Sequence, residues 1–174
     1  MEIEADLPLD IQPWSFNVIV APEEVALGLL RRCLGEGRFL SLYVCGNYSR
    51  LLSRINLRNA AFDVRRAFTA SQLLSIADEA HHTFVFIEHD PTLYSESDGA
   101  GDCVSLALRE LARESTVVLY SSGLDEHLRL IARRADRVFC MERTATRPRR
   151  PRREARGRAR FGPLSEWQRT LEGI

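Results

Sequence analysis

The chain has 174 residues, 45% of them hydrophobic and 28% charged, which is typical of a single globular domain with a short surplus. All 24 residues counted as lysine or arginine are arginines, so lysine chemistry is excluded, including Schiff bases and the phosphate-binding lysine of a P-loop. The formal net charge is zero, but residues 1–142 carry −7 and residues 143–174 carry +7, so an acidic body precedes a basic tail.

Short apolar runs alternate with segments of helical periodicity through the acidic body. Strands are predicted at residues 15–20, 39–45, 62–67, 83–88, 116–121 and 137–142. Helices are predicted at residues 23–34, 49–57, 69–81, 102–114 and 124–135. Strands that are apolar along nearly their whole length, each followed by a helix, are typical of parallel sheets. We therefore expect an α/β fold in which a parallel sheet of five or six strands carries helices on both faces.

The cysteines and the termini indicate the compartment. No two of the four cysteines form a Cys-x-x-Cys pair, so the zinc and redox patterns are absent from the sequence. Cys45 and Cys140 lie in strand-like runs, where buried, reduced thiols are expected. Residues 1–10 lack the apolar core of a signal peptide, and no apolar run approaches membrane-spanning length. We expect a cytoplasmic protein with no metal ion and no cofactor.

The composition changes abruptly at Arg143. Residues 146–163 contain three prolines, two glycines and almost no apolar side chain, which is too little apolar surface to fold. We predict that residues 143–163 are a disordered linker. Its arginine run favours sequence-independent, salt-sensitive contact with DNA phosphates, and a plain solvated linker is the alternative. The residues expected to contact DNA are Arg147, Arg149, Arg150, Arg152, Arg153, Arg156, Arg158 and Arg160.

Several stretches of residues 14–142 resemble the ATPase core of the RecA/RadA recombinase superfamily. The segment FDVRRAF at residues 62–68, followed by QLL at residues 72–74, is similar to the middle segment of that core. Residues 84–88, FVFIE, are similar to its Walker B strand. The resemblance implies a RecA-like fold that begins with a strand, a phosphate loop and a helix, and a role in replication, recombination or repair.

The phosphate loop of that family has no counterpart in this sequence. It should lie between Val20 and Glu24 and be long and rich in glycine, because backbone N–H groups must surround the phosphates. The connection is instead APEE, in which proline lacks an N–H group and two glutamates would repel a triphosphate. Glu88 also stands where the Walker B strand of the family has an aspartate. We therefore expect that residues 1–142 form a degenerate RecA-like domain that is not an ATPase.

The C-terminus, at residues 164–174, resembles a PCNA-interacting peptide. Gln168, Leu171 and Ile174 follow the spacing glutamine, two residues, aliphatic, two residues, hydrophobic. In that family the glutamine enters a polar pocket of the sliding clamp, and one helical turn directs the other two side chains into a hydrophobic pocket. The family usually ends in aromatic residues, whereas this chain ends in Ile174. The resemblance implies clamp binding, with Trp167 beside the motif; an amphipathic helix that packs on the body is the alternative.

Histidine and acidic residues flank the predicted strand at 83–88. His81 and His82 precede it, whereas Glu88, His89 and Asp90 end it, roughly 20 Å away at about 3.3 Å per residue. One shared metal site is therefore excluded by distance. The second group, together with Glu96 and Asp98, could gather at the carboxyl edge of the sheet, where α/β proteins bind ligands. An ordinary polar loop is the simpler interpretation, and the sequence contains no catalytic set.

These patterns predict a non-catalytic RecA-like adaptor. It would bind the PCNA sliding clamp through residues 164–174 and DNA through the linker, and its body would bind a RecA-family recombinase or another replication or repair protein. It would have no membrane partner and would be associated with the nucleoid, or nuclear in a eukaryote. Two alternatives remain. One is a RecA-like inhibitor that acts on another assembly without clamp binding, as the bacterial SOS cell-division inhibitor does; the other is a divergent nucleotide-binding ATPase.

Overall fold

The structure, a computed structural model, describes residues 9–35, 39–55, 62–94 and 99–141. The predicted linker at residues 143–163 and the predicted clamp-binding peptide at residues 164–174 lie outside the described residues. All of the residues that the sequence assigns to DNA or to the clamp belong to these two segments.

Six parallel strands form one sheet in the described part of the chain. They are β1 (Phe16–Val20), β2 (Ser41–Cys45), β3 (Phe62–Arg66), β4 (Phe84–Glu88), β5 (Thr116–Ser121) and β6 (Arg137–Cys140). Their order across the sheet is β3-β2-β4-β5-β1-β6, and every neighbouring pair is parallel. The four inner strands are almost wholly buried, which explains why they read as continuous apolar runs.

Four α-helices of the described residues cover the two faces of the sheet. They are α1 (Glu23–Gly35), α2 (Ala70–Asp78), α3 (Ala100–Leu111) and α4 (Glu126–Ala132). Helix α1 packs on the face that carries Tyr43, Phe86 and Tyr120. The other three helices pack on the opposite face, against side chains that include Val85 and Val117. The predicted α/β fold, with a parallel sheet and helices on both faces, is confirmed. Each helix of the described residues is too short or too polar to cross a bilayer.

Side chains and glycine set the starts of the later helices. Thr69 caps α2, as predicted, because its side-chain oxygen accepts a hydrogen bond from the Gln72 N–H group at 3.2 Å. Helix α3 starts at Ala100, two residues earlier than predicted, after Gly99 adopts a left-handed φ of 85°.

Three local predictions are wrong. The helix predicted at residues 49–57 is a 3-10 turn, Leu52–Arg54, where the chain is described, because side-chain hydrogen bonds hold the preceding loop in another shape. Helix α2 ends at Asp78 instead of residue 81. Cys140 is exposed, since it lies on the edge strand β6, where alternate residues face solvent. Cys45 is buried, as predicted.

Candidate functional site

The strand order reverses at β1, and this reversal selects one edge of the sheet. The helix after β1 packs on one face, whereas the helix after its neighbour β5 packs on the other. In open α/β sheets, ligands bind in the crevice that opens at the carboxyl ends of strands at such a point. The candidate site is therefore built from the residues that follow β1, β5 and β4.

The connection from β1 to α1 consists of two residues, Ala21 and Pro22. The Ala21 N–H group donates to the Ser121 carbonyl oxygen at 3.1 Å, and the Ala21 carbonyl oxygen accepts from the Tyr120 hydroxyl at 3.2 Å. Pro22 has no N–H group to offer. Burial, together with nearby glutamates including Glu23, raises the pKa of Tyr120 to about 12, so its phenol remains a donor at neutral pH. The backbone of this connection is thus bonded within the protein.

Glu23 begins α1 and occupies the positive end of the helix. It lies in the first turn with Glu24, where a carboxylate is stabilised by the helix dipole. Its carboxylate accepts a hydrogen bond from Arg54 at 3.2 Å and lies 3.6 Å from the Arg50 guanidinium. An anion that approached this helix end would meet the negative charge of a carboxylate that is hydrogen-bonded to Arg54.

Glu88 ends β4 and is buried, with 8% of its surface exposed. One carboxylate oxygen, Oε2, accepts from the Tyr43 hydroxyl and the Ser49 hydroxyl, each at 2.6 Å. The other, Oε1, accepts from the Arg50 N–H group at 2.9 Å. Burial and the hydrogen bond with Glu88 raise the pKa of Tyr43 well above its usual range, so the phenol stays a donor. Three donors, one within β2 and two in the loop after it, therefore tie this part of the chain to the end of β4.

His89 follows Glu88 but points to the opposite face of the sheet. Its Nε2 lies 2.7 Å from Asp125 Oδ2, and its side chain is fully buried. Asp125 also caps α4, since its Oδ1 accepts from the Leu128 N–H group at 2.8 Å. The His89 ring stacks on Tyr94, which in turn stacks on His127, with centroids 5.5 Å and 5.1 Å apart. The His89–Asp125 pair thus joins the end of β4 to the start of α4.

Two polar atoms of this cluster have no hydrogen-bond partner among the described residues. They are His89 Nδ1 and the Tyr94 hydroxyl, both buried. Burial is the first cause of the lowered pKa of His89, and burial likewise raises the pKa of Tyr94. A neutral imidazole with an unpaired Nδ1 acceptor is the form that this environment favours.

The histidine and acidic residues do not assemble into a metal site where the chain is described. Glu88 and His89 face opposite sides of the sheet, and the acidic residues at 96 and 98 lie outside the described residues. His82 sits at the other end of β4, where its Nε2 lies 2.9 Å from Asp63 Oδ2. The described residues contain no group of three or more histidine, cysteine or acidic residues placed to hold a metal ion.

Acidification should destabilise the body in two steps. Burial lowers the pKa of His89, so the folded body binds this proton less readily than the unfolded chain does. The free energy of unfolding therefore has its full value above about pH 6.5 and decreases as the pH falls below that value. Burial acts to raise the pKa of Asp125, but the Leu128 N–H group and His89 outweigh it and lower the pKa. The contribution of Asp125 is therefore present above about pH 3.9 and is lost as the pH falls through its folded pKa.

Urea unfolding between pH 8 and pH 5 measures the first step. His89→Phe keeps a ring against Tyr94 and removes the titrating group, so its stability should change less with pH than that of the parent chain. Exposed His81 provides the matched control, and His81→Phe should leave the pH profile as it is. Parallel profiles for the parent chain and His89→Phe would contradict this account.

Sequence reasoning placed Glu88, His89 and Asp90 at the carboxyl edge but missed their partners. Tyr43 and Asp125 are 45 and 36 residues away from the side chains that they bind. Asp125 had a local signal, because an aspartate just before an apolar helical run is a typical N-cap. Tyr43 had none, since an aromatic residue inside a strand reads only as core.

Comparison with known proteins yields a relative but no activity. No protein-family model matches this chain. The chain is similar to a protein of Archaeoglobus fulgidus described as uncharacterized, with 39% identity over 129 residues. The matched part is 73% of this chain and 65% of the relative, so the chain spans less than two thirds of that relative's length. The description of the relative names no activity, substrate or partner.

Proposed function

We propose that this protein is a non-catalytic adaptor in DNA replication, recombination or repair. It binds a PCNA-type sliding clamp through residues 164–174 and DNA through the arginines of residues 147–160. The observation that carries the non-catalytic part is the two-residue connection between β1 and α1 at the point where the strand order reverses.

This connection has few free N–H groups that could bind a nucleotide phosphate. The Ala21 N–H group is bonded to Ser121, Pro22 has none, and Glu23 puts a negative charge at the helix end. A phosphate site at such a position relies on several unpaired N–H groups and on the helix dipole. Glu88, at the position of the Walker B acid, is likewise committed to three donors within the protein. These features support a binding role over ATP hydrolysis.

The charge distribution supports a tail that binds DNA. Residues 1–142 carry −7, which disfavours contact between most of the body and phosphates, whereas residues 143–174 carry +7. DNA running through the clamp would provide a second contact beside the peptide, and this raises the effective concentration of each for the other.

The edge strand β3 supports a protein partner for the body. Four of its five residues are exposed, and in the described sheet it pairs with β2 alone. An unpaired parallel edge can accept a strand of another α/β protein. We therefore assign a RecA-family recombinase, or another replication or repair protein, to the body as its partner.

Calorimetric titration of an archaeal PCNA clamp tests the proposal. The full-length protein should release heat on binding, and a chain that ends at Pro163 should release none. In the full-length chain, Gln168→Ala with Leu171→Ala should abolish the heat, because both anchors of the peptide are removed. Arg169→Ala with Thr170→Ala alters the intervening positions and should bind nearly as well as the parent.

Two results would overturn the clamp assignment. One is equal heat from the full-length and the shortened chain, which would place any clamp contact in the body. The other is the absence of heat from both chains, which would favour an inhibitor-like role carried by the surface of the body.

A further inference from the structure

Two large aromatic side chains project into solvent at one corner of the sheet. Tyr48 is 85% exposed and Phe68 is 54% exposed. Both follow the carboxyl ends of paired strands, because Cys45 of β2 is opposite Arg66 of β3. The Ala67 N–H group continues the pairing to the Cys45 carbonyl oxygen at 2.9 Å. Tyr48 and Phe68 therefore lie on the chain segments that follow two neighbouring strands, and neighbouring strands of a sheet are about 4.8 Å apart.

The loop that carries Tyr48 is fixed on both sides of it. Before it, the Arg66 guanidinium donates to the Asn47 carbonyl oxygen at 2.7 Å; after it, Ser49 is bonded to Glu88 at 2.6 Å. The turn is tightly packed at Gly46, where an added Cβ atom would meet the Asp90 side chain and force it to shift. Tyr48 is thus presented on a restrained backbone, which lowers the entropy cost of binding.

Phe68 is held in a comparable way. Its N–H group donates to the Gln72 side-chain oxygen at 2.8 Å, and the next residue, Thr69, caps α2. Hydrogen bonds therefore hold the chain at the residues on either side of Tyr48 and at Phe68 itself, although both rings face solvent.

Two arginines lie close to these aromatic residues along the chain, Arg50 two residues after Tyr48 and Arg66 two residues before Phe68. Arg66 uses carbonyl oxygens as partners and, among the described residues, contacts no carboxylate within 4.0 Å. The Arg50 side chain is 72% exposed and has only a long contact, 3.6 Å, with Glu23. Arg54 and Arg65, by contrast, form closer pairs with carboxylates at 3.2 Å and 2.7 Å. Arg50 and Arg66 thus keep positive charge available to a ligand.

We propose that Tyr48, Phe68, Arg50 and Arg66 form a binding surface for single-stranded nucleic acid on the folded body. We name these four residues the aromatic corner. Proteins that bind single strands stack bases on exposed aromatic rings and contact the phosphates with arginine. A duplex hides the faces of its bases, so the aromatic corner favours single strands. This site goes beyond the proposed function, which places the contact with DNA in the tail alone.

The test uses the full chain with its eight tail arginines, residues 147–160, replaced by glutamine. This tail-neutral chain removes the tail's own contact with phosphates. Its binding to a fluorescein-labelled oligothymidylate of about 20 nucleotides is followed by anisotropy, beside a duplex of the same length. The tail-neutral chain should bind the single strand, and Tyr48→Ala with Phe68→Ala should weaken that binding at least about tenfold.

Matched variants separate stacking from unfolding. Tyr48→Phe keeps a ring and should bind as the tail-neutral chain does. Trp14 is 72% exposed and precedes β1, so it lies toward the amino ends of the strands, whereas the aromatic corner lies at their carboxyl ends. Trp14→Ala should therefore leave the affinity unchanged. Thermal unfolding of each variant checks that the fold is retained.

Three outcomes would overturn the assignment. The first is no binding of the single strand by the tail-neutral chain at about 100 μM, a concentration at which even weak non-specific binding is detected. The second is equal affinity before and after removal of the two rings. The third is displacement of the oligonucleotide by a glutamate-rich peptide whose own binding needs the same rings, since the aromatic corner would then bind an acidic protein.

Discussion

Replacing Glu88 with alanine should lower the free energy of unfolding by about 3 kcal/mol. The carboxylate accepts three short hydrogen bonds, and its removal leaves the buried Tyr43 hydroxyl with the Ser49 hydroxyl, 3.1 Å away, in place of a charged acceptor at 2.6 Å. It also releases the loop after β2, which is bonded to Glu88 through Ser49 and the Arg50 N–H group. Urea unfolding measures the loss as a lower midpoint with an unchanged slope.

Two milder variants separate the charge from the hydrogen bonds. Glu88→Gln keeps the size of the side chain and should cost about 1 kcal/mol, because the two hydroxyls can reorient toward an amide. Tyr43→Phe removes a single donor and should also cost about 1 kcal/mol. The adaptor proposal fails if two results are obtained together. Glu88→Ala would unfold at the same urea concentration as the parent chain, and the parent would hydrolyse ATP while Glu88→Gln would not. Glu88 would then be a catalytic carboxylate.

Replacing Asp125 with alanine should cost about 2 kcal/mol of stability. Two independent contacts disappear: the N-cap of α4, through the Leu128 N–H group at 2.8 Å, and the bond to buried His89 at 2.7 Å. Each is worth about 1 kcal/mol when a buried or terminal polar group loses its partner. Thermal unfolding is a suitable measurement, since a domain of 150–250 residues loses about 2–4 °C per kcal/mol.

Asp125→Ser isolates the cap. Serine is a good N-cap residue but is too short to retain the contact with His89, so about half of the stability should return. Identical melting temperatures for the serine and alanine variants would mean that the cap contributes little and that the contact with His89 accounts for the whole loss. A melting temperature of the alanine variant equal to that of the parent would contradict both contacts.

The two carboxylates also connect the end of β4 to other elements on both faces of the sheet. Glu88 connects β4 to the loop after β2 on the face covered by α1, and Asp125 connects β4 to α4 on the other face. Glu88 ends β4 and His89 follows it directly. These two consecutive residues act on opposite faces of the sheet because side chains alternate along an extended chain. The aromatic corner depends on the first of these connections, so Glu88→Ala is also expected to loosen Tyr48.

Local patterns in the sequence were sufficient to predict the fold class and most element positions. Buried parallel strands are apolar along their whole length, and this local pattern located all six strands. Capping is equally local: Thr69 identified the start of α2 because its side chain bonds a backbone group three residues ahead. The absence of a long phosphate loop at Ala21 and Pro22 could be predicted for the same reason, since the length and composition of a connection depend only on adjacent residues.

Which side chains meet could not be predicted in the same way, because it depends on how the elements are arranged in space. Strand order sets which carboxyl ends are neighbours, and no local pattern encodes that order. Glu88 finds Tyr43 because β2 lies beside β4, and His89 finds Asp125 because β5 lies on the other side of β4. Exposure also depends on the tertiary structure: Cys140 lies on the edge strand β6 and Tyr48 in the loop after β2, where nothing in the described residues covers them. Periodicity reports the face of an element, whereas contact depends on which element packs against that face.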